Sequence, residues 1–260
     1  MPKAITNLLH PAGYWSEGKA TWVGANVDVE NDGRCGTHCL SYYKNVGSES
    51  QLHDESTVAL FFLENDLHHG KKLSMQLMSK TTSNNNGPKF LPKKVADSIP
   101  FSSNKMENIL NKLSIKKGSK ESEIVKKTIN ECEEKGIKGE EKLCVTSLES
   151  MVDFAISKLG KNVEVVSTEM ENENKNQTMV CHNENYPYAV FYCHKMHATN
   201  AYSVPLEGVD GRKVKAIAVC HTDTSEWNPK HISLQVLKVE PGTVPVCHFI
   251  PHGHVVWVSK

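Results

Sequence analysis

The chain has no long hydrophobic run. Its longest, such as Val58 to Leu63, fall far short of the roughly 20 apolar residues a helix needs to cross a bilayer, so a membrane partner is not expected. It has no excess of charge either. Thirty basic residues balance thirty acidic ones, which argues against a nucleic-acid partner, since such proteins carry a basic excess or stripe. The opening MPKAITNLLHPAG lacks a charged segment followed by an apolar one, and no secretory leader is expected in this sequence. Through residues 1–56 neither a helical nor a strand period lasts. Gly, Asn, Asp, Ser and His dominate there, and Gly24 to Gln51 reads as a flexible tether. One apolar and aromatic island interrupts it: Cys39, Leu40, Ser41, Tyr42 and Tyr43.

What the chain does have is length, cysteine and histidine. Its 260 residues suffice for a sizeable core. The eight cysteines suit a compartment that permits disulfides, as does the glycosylation sequon Asn176-Gln177-Thr178. From Thr57 onward the text reads as globular. TVALFFLE and KKLSMQLM read as strands, and TTSNNNGP as a loop. Met106, Ile109, Leu110 and Leu113 mark a helical face capped by Ser102 or Ser103. Glu121 to Glu134 reads as a second helix. A third carries Leu148, Met151, Val152, Ala155 and Leu159, with Thr146 and Glu149 as a capping box and Gly160 as its stop. The last hundred residues read as strands: VEVVST, TMVCH, YAVFYCH, AYSVPLE, VKAIAVCH, SLQVLKV, TVPVCHF and HVVWV. The expected fold class is α+β, with helices in the middle and an antiparallel, β-rich C-terminal part stapled by disulfides. The division is a segment 1–56 and a domain 57–260.

Four Cys-His dipeptides fall in that β-rich part: Cys181-His182, Cys193-His194, Cys220-His221 and Cys247-His248. Neighbouring side chains on a strand point to opposite faces. Such a repeat offers a row of thiols and a separate row of imidazoles. The thiols can pair as disulfides on the packed side, and the imidazoles can converge on a metal on the other. A zinc site using both residue types fits less well, because adjacent residues do not reach one tetrahedral ion easily. Histidine-only sites in an oxidising compartment lean to copper(II), with zinc still open. Cys132 and Cys144 flank a Gly-Ile-Lys-Gly loop between two predicted helices, where a disulfide would add roughly 2–3 kcal/mol. Cys35 and Cys39 lie in the tether, bridged or free. The six domain cysteines permit fifteen connectivities, which sequence alone does not resolve. Tyr186, Tyr188 and Tyr192 alternate as one strand face, reading as core or pocket lining.

The dipeptides are separated by ten, twenty-five and twenty-five residues. This pattern resembles the plant BURP domain, whose signature is four CH dipeptides at these separations. LFFLENDLHHGKK, KGEEKLCVTSLESMVDFAISKLGKNVE, AVFYCHK, AVCHTDTS, PGTVPVCHF and VVWV also read like members, and the opening MPKAITNLLHPAGYW resembles the dehydration-responsive subgroup. That subgroup's Thr, Gly and Val repeats are missing, and His69 stands where the family commonly has proline. The resemblance implies a disulfide-stapled fold. In some members it implies a copper-dependent peptide cyclase with two mononuclear copper sites and dioxygen as co-substrate. Other members are stress-responsive or cell-wall-associated proteins. By carry-over, His182, His194, His221 and His248 are the candidate catalytic copper ligands, with His68 next. His231 and His254, near strand ends, are local additions.

The resemblance also gives the tether a purpose, as a core peptide within the same chain. A phenol of Tyr42 or Tyr43 would be joined to a carbon two residues earlier, at Leu40 or Ser41. The alternatives are a non-catalytic secreted protein binding metal or cell-wall polysaccharide, and a cyclase acting on a separate precursor. The expected location is secreted, apoplastic or vacuolar.

Overall fold

The structure, a computed structural model, describes residues 61–72, 88–166, 177–208, 211–250 and 253–259. The tether, its aromatic island with Leu40, Ser41, Tyr42 and Tyr43, most of KKLSMQLM, the TTSNNN loop, Cys35, Cys39 and Asn176 lie outside the described residues.

Two antiparallel sheets form the frame. The first comprises β1 (Phe61–Leu63), β8 (Val246–Phe249), β7 (Lys213–His221) and β6 (Thr199–Glu207), in that order. The second comprises β2 (Glu140–Val145), β5 (Phe191–Met196), β4 (Thr178–Asn183), β9 (Val255–Ser259) and β3 (Val163–Val165). Alternation along each strand sorts their side chains into layers. Val180, Ala201, Ile217, Val219, Val256 and Val258 meet between the sheets as one apolar cluster. The opposite face of the five-stranded sheet, with Met179, Cys181, Phe191, Cys193 and Trp257, is covered by α4 (Leu148–Leu159) through Met151, Val152 and Ala155. The opposite face of the four-stranded sheet packs Phe62, Cys220, Cys247 and Phe249 together. The mixed helical and antiparallel architecture is the α+β class expected.

Shorter helices close the remaining edges. The helices α2 (Met106–Lys112) and α3 (Lys120–Glu133) enclose Tyr186, Tyr188 and Val190. Near them lies α1 (Lys93–Ser98), which the sequence reading did not anticipate. Also unanticipated is β2. Its charged text EEKLCV hides a strand whose partner, β5, is known only once the sheet is formed.

Three local expectations are corrected. SLQVLKV is not a strand but α5 (Ile232–Leu237). Short apolar runs carry no decisive period. Here Ile232 and Leu234 pack against Phe61, Trp227 and Val246, and His231 accepts the Ser233 N–H as a cap. Ser102 and Ser103 do not cap α2, which follows a 3-10 turn at Ser103–Lys105. Both instead bind Glu133 at the end of α3, Ser102 Oγ at 2.5 Å and Ser103 N–H at 2.9 Å. The capping box of α4 lies one residue later than expected, with Ser147 and Ser150 in the roles of Thr146 and Glu149. Gly160 does end that helix, with φ of 92° that a side chain rarely adopts.

Candidate metal centre

The sheet register separates sulfur from nitrogen. Cys181 stands opposite Cys193 on β4 and β5, and Cys220 opposite Cys247 on β7 and β8. Both pairs form disulfides, each on the face of its sheet that looks away from the other sheet. One residue further on, each histidine turns to the opposite face, into the layer between the sheets. His182, His221 and His248 are buried there and His194 nearly so. The expected separation of disulfides and imidazoles onto opposite faces holds, with one correction: the imidazole side is not an open surface, for both faces of each sheet are packed. Also among the described residues, the disulfide Cys132–Cys144 ties α3 to β2. Cys144 faces the same way as Tyr192 and His194, so this bridge lies on the imidazole side of its sheet.

The rings converge. His182 Nε2 lies 3.2 Å from His194 Nε2, and His182 Nδ1 lies 3.1 Å from His254 Nδ1. His254 reaches this place because β9 begins at Val255, directly beside Cys181. His221 and His248 stack with ring centres 5.7 Å apart. His194 lies 6.4 Å from His221, and His182 lies 6.2 Å from His248, centre to centre. Five imidazoles from five strands or strand ends thus share one enclosed region. His231 sits one layer out, separated from His221 by Trp227, whose indole lies 4.5 Å from His231 and 5.3 Å from His221. His68 does not join them. It is exposed in the turn after β1, its Nδ1 3.1 Å from the His69 carbonyl oxygen.

Burial sets the electrostatics. It drives the proton affinity of His221 well below the ordinary histidine value, reinforced by His248, His194 and His231 nearby. Burial likewise lowers His248, to about 4, although the Phe249 carbonyl oxygen opposes the shift by accepting from Nδ1 at 3.3 Å. Neutral imidazoles at neutral pH are the form that binds metal. Beside them sits Glu140, which the sequence reading did not single out. Burial would raise its pKa, but the hydrogen bond and charge of His194, the Tyr192 hydroxyl and the Ile137 N–H outweigh that and hold it at about 2. Tyr192 is pushed strongly upward, by burial first and then by the Glu140 charge. Nothing in KGEEK distinguishes Glu140 from Glu141; only the β2–β5 register does. Trp227, in TDTSEWNP, gave no periodic signal either.

The hydrogen-bond directions test whether a cation fits. Ionised Glu140 only accepts, so His194 Nδ1, 3.0 Å away, carries a hydrogen, and in its unprotonated form the ring turns a lone pair from Nε2 toward His182. At the other end, the Asn183 N–H donates to His254 Nδ1 at 3.3 Å. The hydrogen between His254 Nδ1 and His182 Nδ1 therefore belongs to His182, whose Nε2 then presents a lone pair to His194. Two such nitrogens at 3.2 Å suit two ligands of one ion, since metal–nitrogen bonds of about 2.0–2.1 Å place neighbouring ligands roughly 3 Å apart. Copper and zinc both accept this donor type. Among the described residues no three His, Cys, Asp or Glu side chains already stand in the geometry of one ion, so a full ligand set needs ring rotations within the cluster.

This frame of paired CH dipeptides, with sulfur outside and imidazole inside, defines a class. The BURP domain family model matches residues 60–259, and the chain belongs to the BURP-domain family. It is similar to BURP domain protein RD22 of Arabidopsis thaliana, at 48% identity over 235 residues, covering 84% of this chain and 60% of that protein. It is also similar to two Oryza sativa subsp. japonica proteins. BURP domain-containing protein 3 is 48% identical over 238 residues (84% of this chain, 54% of that protein), and BURP domain-containing protein 6 is 40% identical over 235 residues (83% and 95%). The chain thus spans little more than half the length of the first two. These relatives are plant proteins.

Proposed function

We propose that this chain is a copper-dependent oxidative peptide cyclase that joins a tyrosine side chain to an unactivated carbon of its own N-terminal segment. The observation that carries the reading is the enclosed set of imidazoles, His182, His194, His221, His248 and His254, held by strands whose disulfides face the other way. Copper bound there would supply one-electron redox chemistry, with dioxygen as the terminal oxidant. The chain's own residues supply the rest. His182 and His194 offer convergent Nε2 donors, and burial keeps His221 and His248 unprotonated. The family's two mononuclear sites would draw on these rings together with His231, the His68 assignment being the weakest by position.

In the reaction the Tyr42 O–H and a Leu40 Cβ–H bond break, and an O–C bond forms. Two electrons and two protons leave for dioxygen, giving hydrogen peroxide. The Tyr43 option uses Ser41 in the same way. Tethering makes the step intramolecular, so the local concentration is set by the linker. Disulfides at three positions agree with a secreted, apoplastic or vacuolar location, and no described helix is long and apolar enough to cross a membrane.

The experiment is mass spectrometry of the full chain after copper loading in air. A mass lower by two hydrogens, localised to residues 39–46, supports the reading. Bound copper with an unchanged mass in that segment contradicts it. Turnover only on an added peptide would instead make this a cyclase acting in trans. Copper bound without turnover on either would make it a non-catalytic binding protein.

A further inference from the structure

The carboxylate behind His194 is built with more care than a sheet needs. Glu140 opens β2 opposite Met196 of β5, two residues past His194 and on the same face. Its side chain is 9% exposed. Oε1 accepts from His194 Nδ1 at 3.0 Å and from the Tyr192 hydroxyl at 2.9 Å, while Oε2 accepts from the Ile137 N–H at 3.1 Å. Tyr192 is itself pinned, with the Lys142 ammonium 4.9 Å from its ring centre. Glu141, the neighbouring carboxylate, points to the other face and pairs with Lys158 at the surface, which is what an ordinary strand glutamate does.

We propose that Glu140 is the positioning residue of the imidazole cluster. It fixes the hydrogen of His194 on Nδ1 and aims Nε2 at His182, and Tyr192 holds the carboxylate in that orientation. Outer partners of this kind fix ring tautomer and orientation, and their loss typically lowers metal affinity about 10–100-fold. The proposal rests on reading the cluster as a metal centre, but its geometry exists without the metal.

Glu140→Gln makes the test sharp. The Ile137 N–H keeps the amide oxygen at the Oε2 position, so the amide NH2 faces His194 and donates to Nδ1. The ring must then carry its hydrogen on Nε2, the nitrogen that should bind metal. In the metal-free wild type, nitrogen-15 NMR of the histidine rings should find His194 protonated at Nδ1; in Glu140→Gln it should find the Nε2–H form. Competition titration with copper(II) and zinc(II) should show affinity falling about 10–100-fold in that variant. Glu140→Ala, which removes the acceptor without adding a donor, should weaken binding similarly and serves if the first variant folds poorly. A wild-type His194 with bare Nδ1, or variants that fold and bind copper(II) as tightly as wild type, would overturn the proposal. A wild type that binds neither metal overturns the metal reading instead, while the tautomer measurement still decides the role of Glu140.

Discussion

His182 and His194 meet through their Nε2 atoms at 3.2 Å because the residues before them, Cys181 and Cys193, are directly opposed on β4 and β5. The disulfide holds the strands in a register that a one-residue slip would destroy, since a slip of either strand would send its imidazole to the α4 side, away from the other. The same relation joins Cys220–Cys247 to His221 and His248.

Replacing Cys220 and Cys247 together by serine should therefore act twice. Loss of the bridge is expected to cost roughly 2–5 kcal/mol of stability, read by denaturant unfolding. Copper affinity should fall as well, because His221 and His248 lose their fixed spacing. A variant destabilised without any loss of affinity would separate the bridge from the imidazoles.

The metal-free protein should lose stability in mild acid. His248 has a folded pKa of about 4 against an ordinary 6.5, and His221 is shifted in the same direction. Well above pH 6.5 neither is protonated in either state, and the two contribute no pH dependence. Below it the unfolded chain takes up protons that the folded chain refuses, so stability falls as pH drops from 6.5 through 4. At about 1.4 kcal/mol per pH unit, His248 alone accounts for roughly 3 kcal/mol. Glu140 adds a further loss lower down, between its ordinary 4.5 and about 2. Thermal unfolding across this range checks the profile. His248→Gln should flatten it between pH 6.5 and 4, and an unchanged slope would contradict the assignment.

Single histidine replacements should divide by location. His221→Ala and His194→Ala are expected to lower copper affinity strongly, whereas His68→Ala should leave it close to wild type, because His68 sits exposed in the turn after β1. Isothermal titration of the three variants tests this. A loss in His68→Ala equal to that in His221→Ala would mean that the turn folds onto the cluster.

Much of this was legible in the sequence, for a physical reason. A Cys-His dipeptide on a strand must split its two side chains between faces, and that alone foretells sulfur apart from nitrogen. Helix α4 was legible because five apolar residues repeat on one face and a glycine ends it. What stayed hidden depends on pairing. Glu140 matters only because β2 lies beside β5. The segment after Trp227 became a helix because Ile232 and Leu234 found a pocket of aromatic neighbours, not through its own period. His254 carries no sequence signal beyond its nearness to a strand end, yet β9 sets it against His182.

In the proposed copper centre, imidazoles rather than thiolates gather the ion. Electron paramagnetic resonance of the copper(II)-loaded chain tests this most directly. The predicted spectrum is an ordinary tetragonal signal with nitrogen couplings that weaken in His182→Ala and His194→Ala. A thiolate-ligated blue-copper signal, or a nitrogen signal unchanged in both variants, would contradict it.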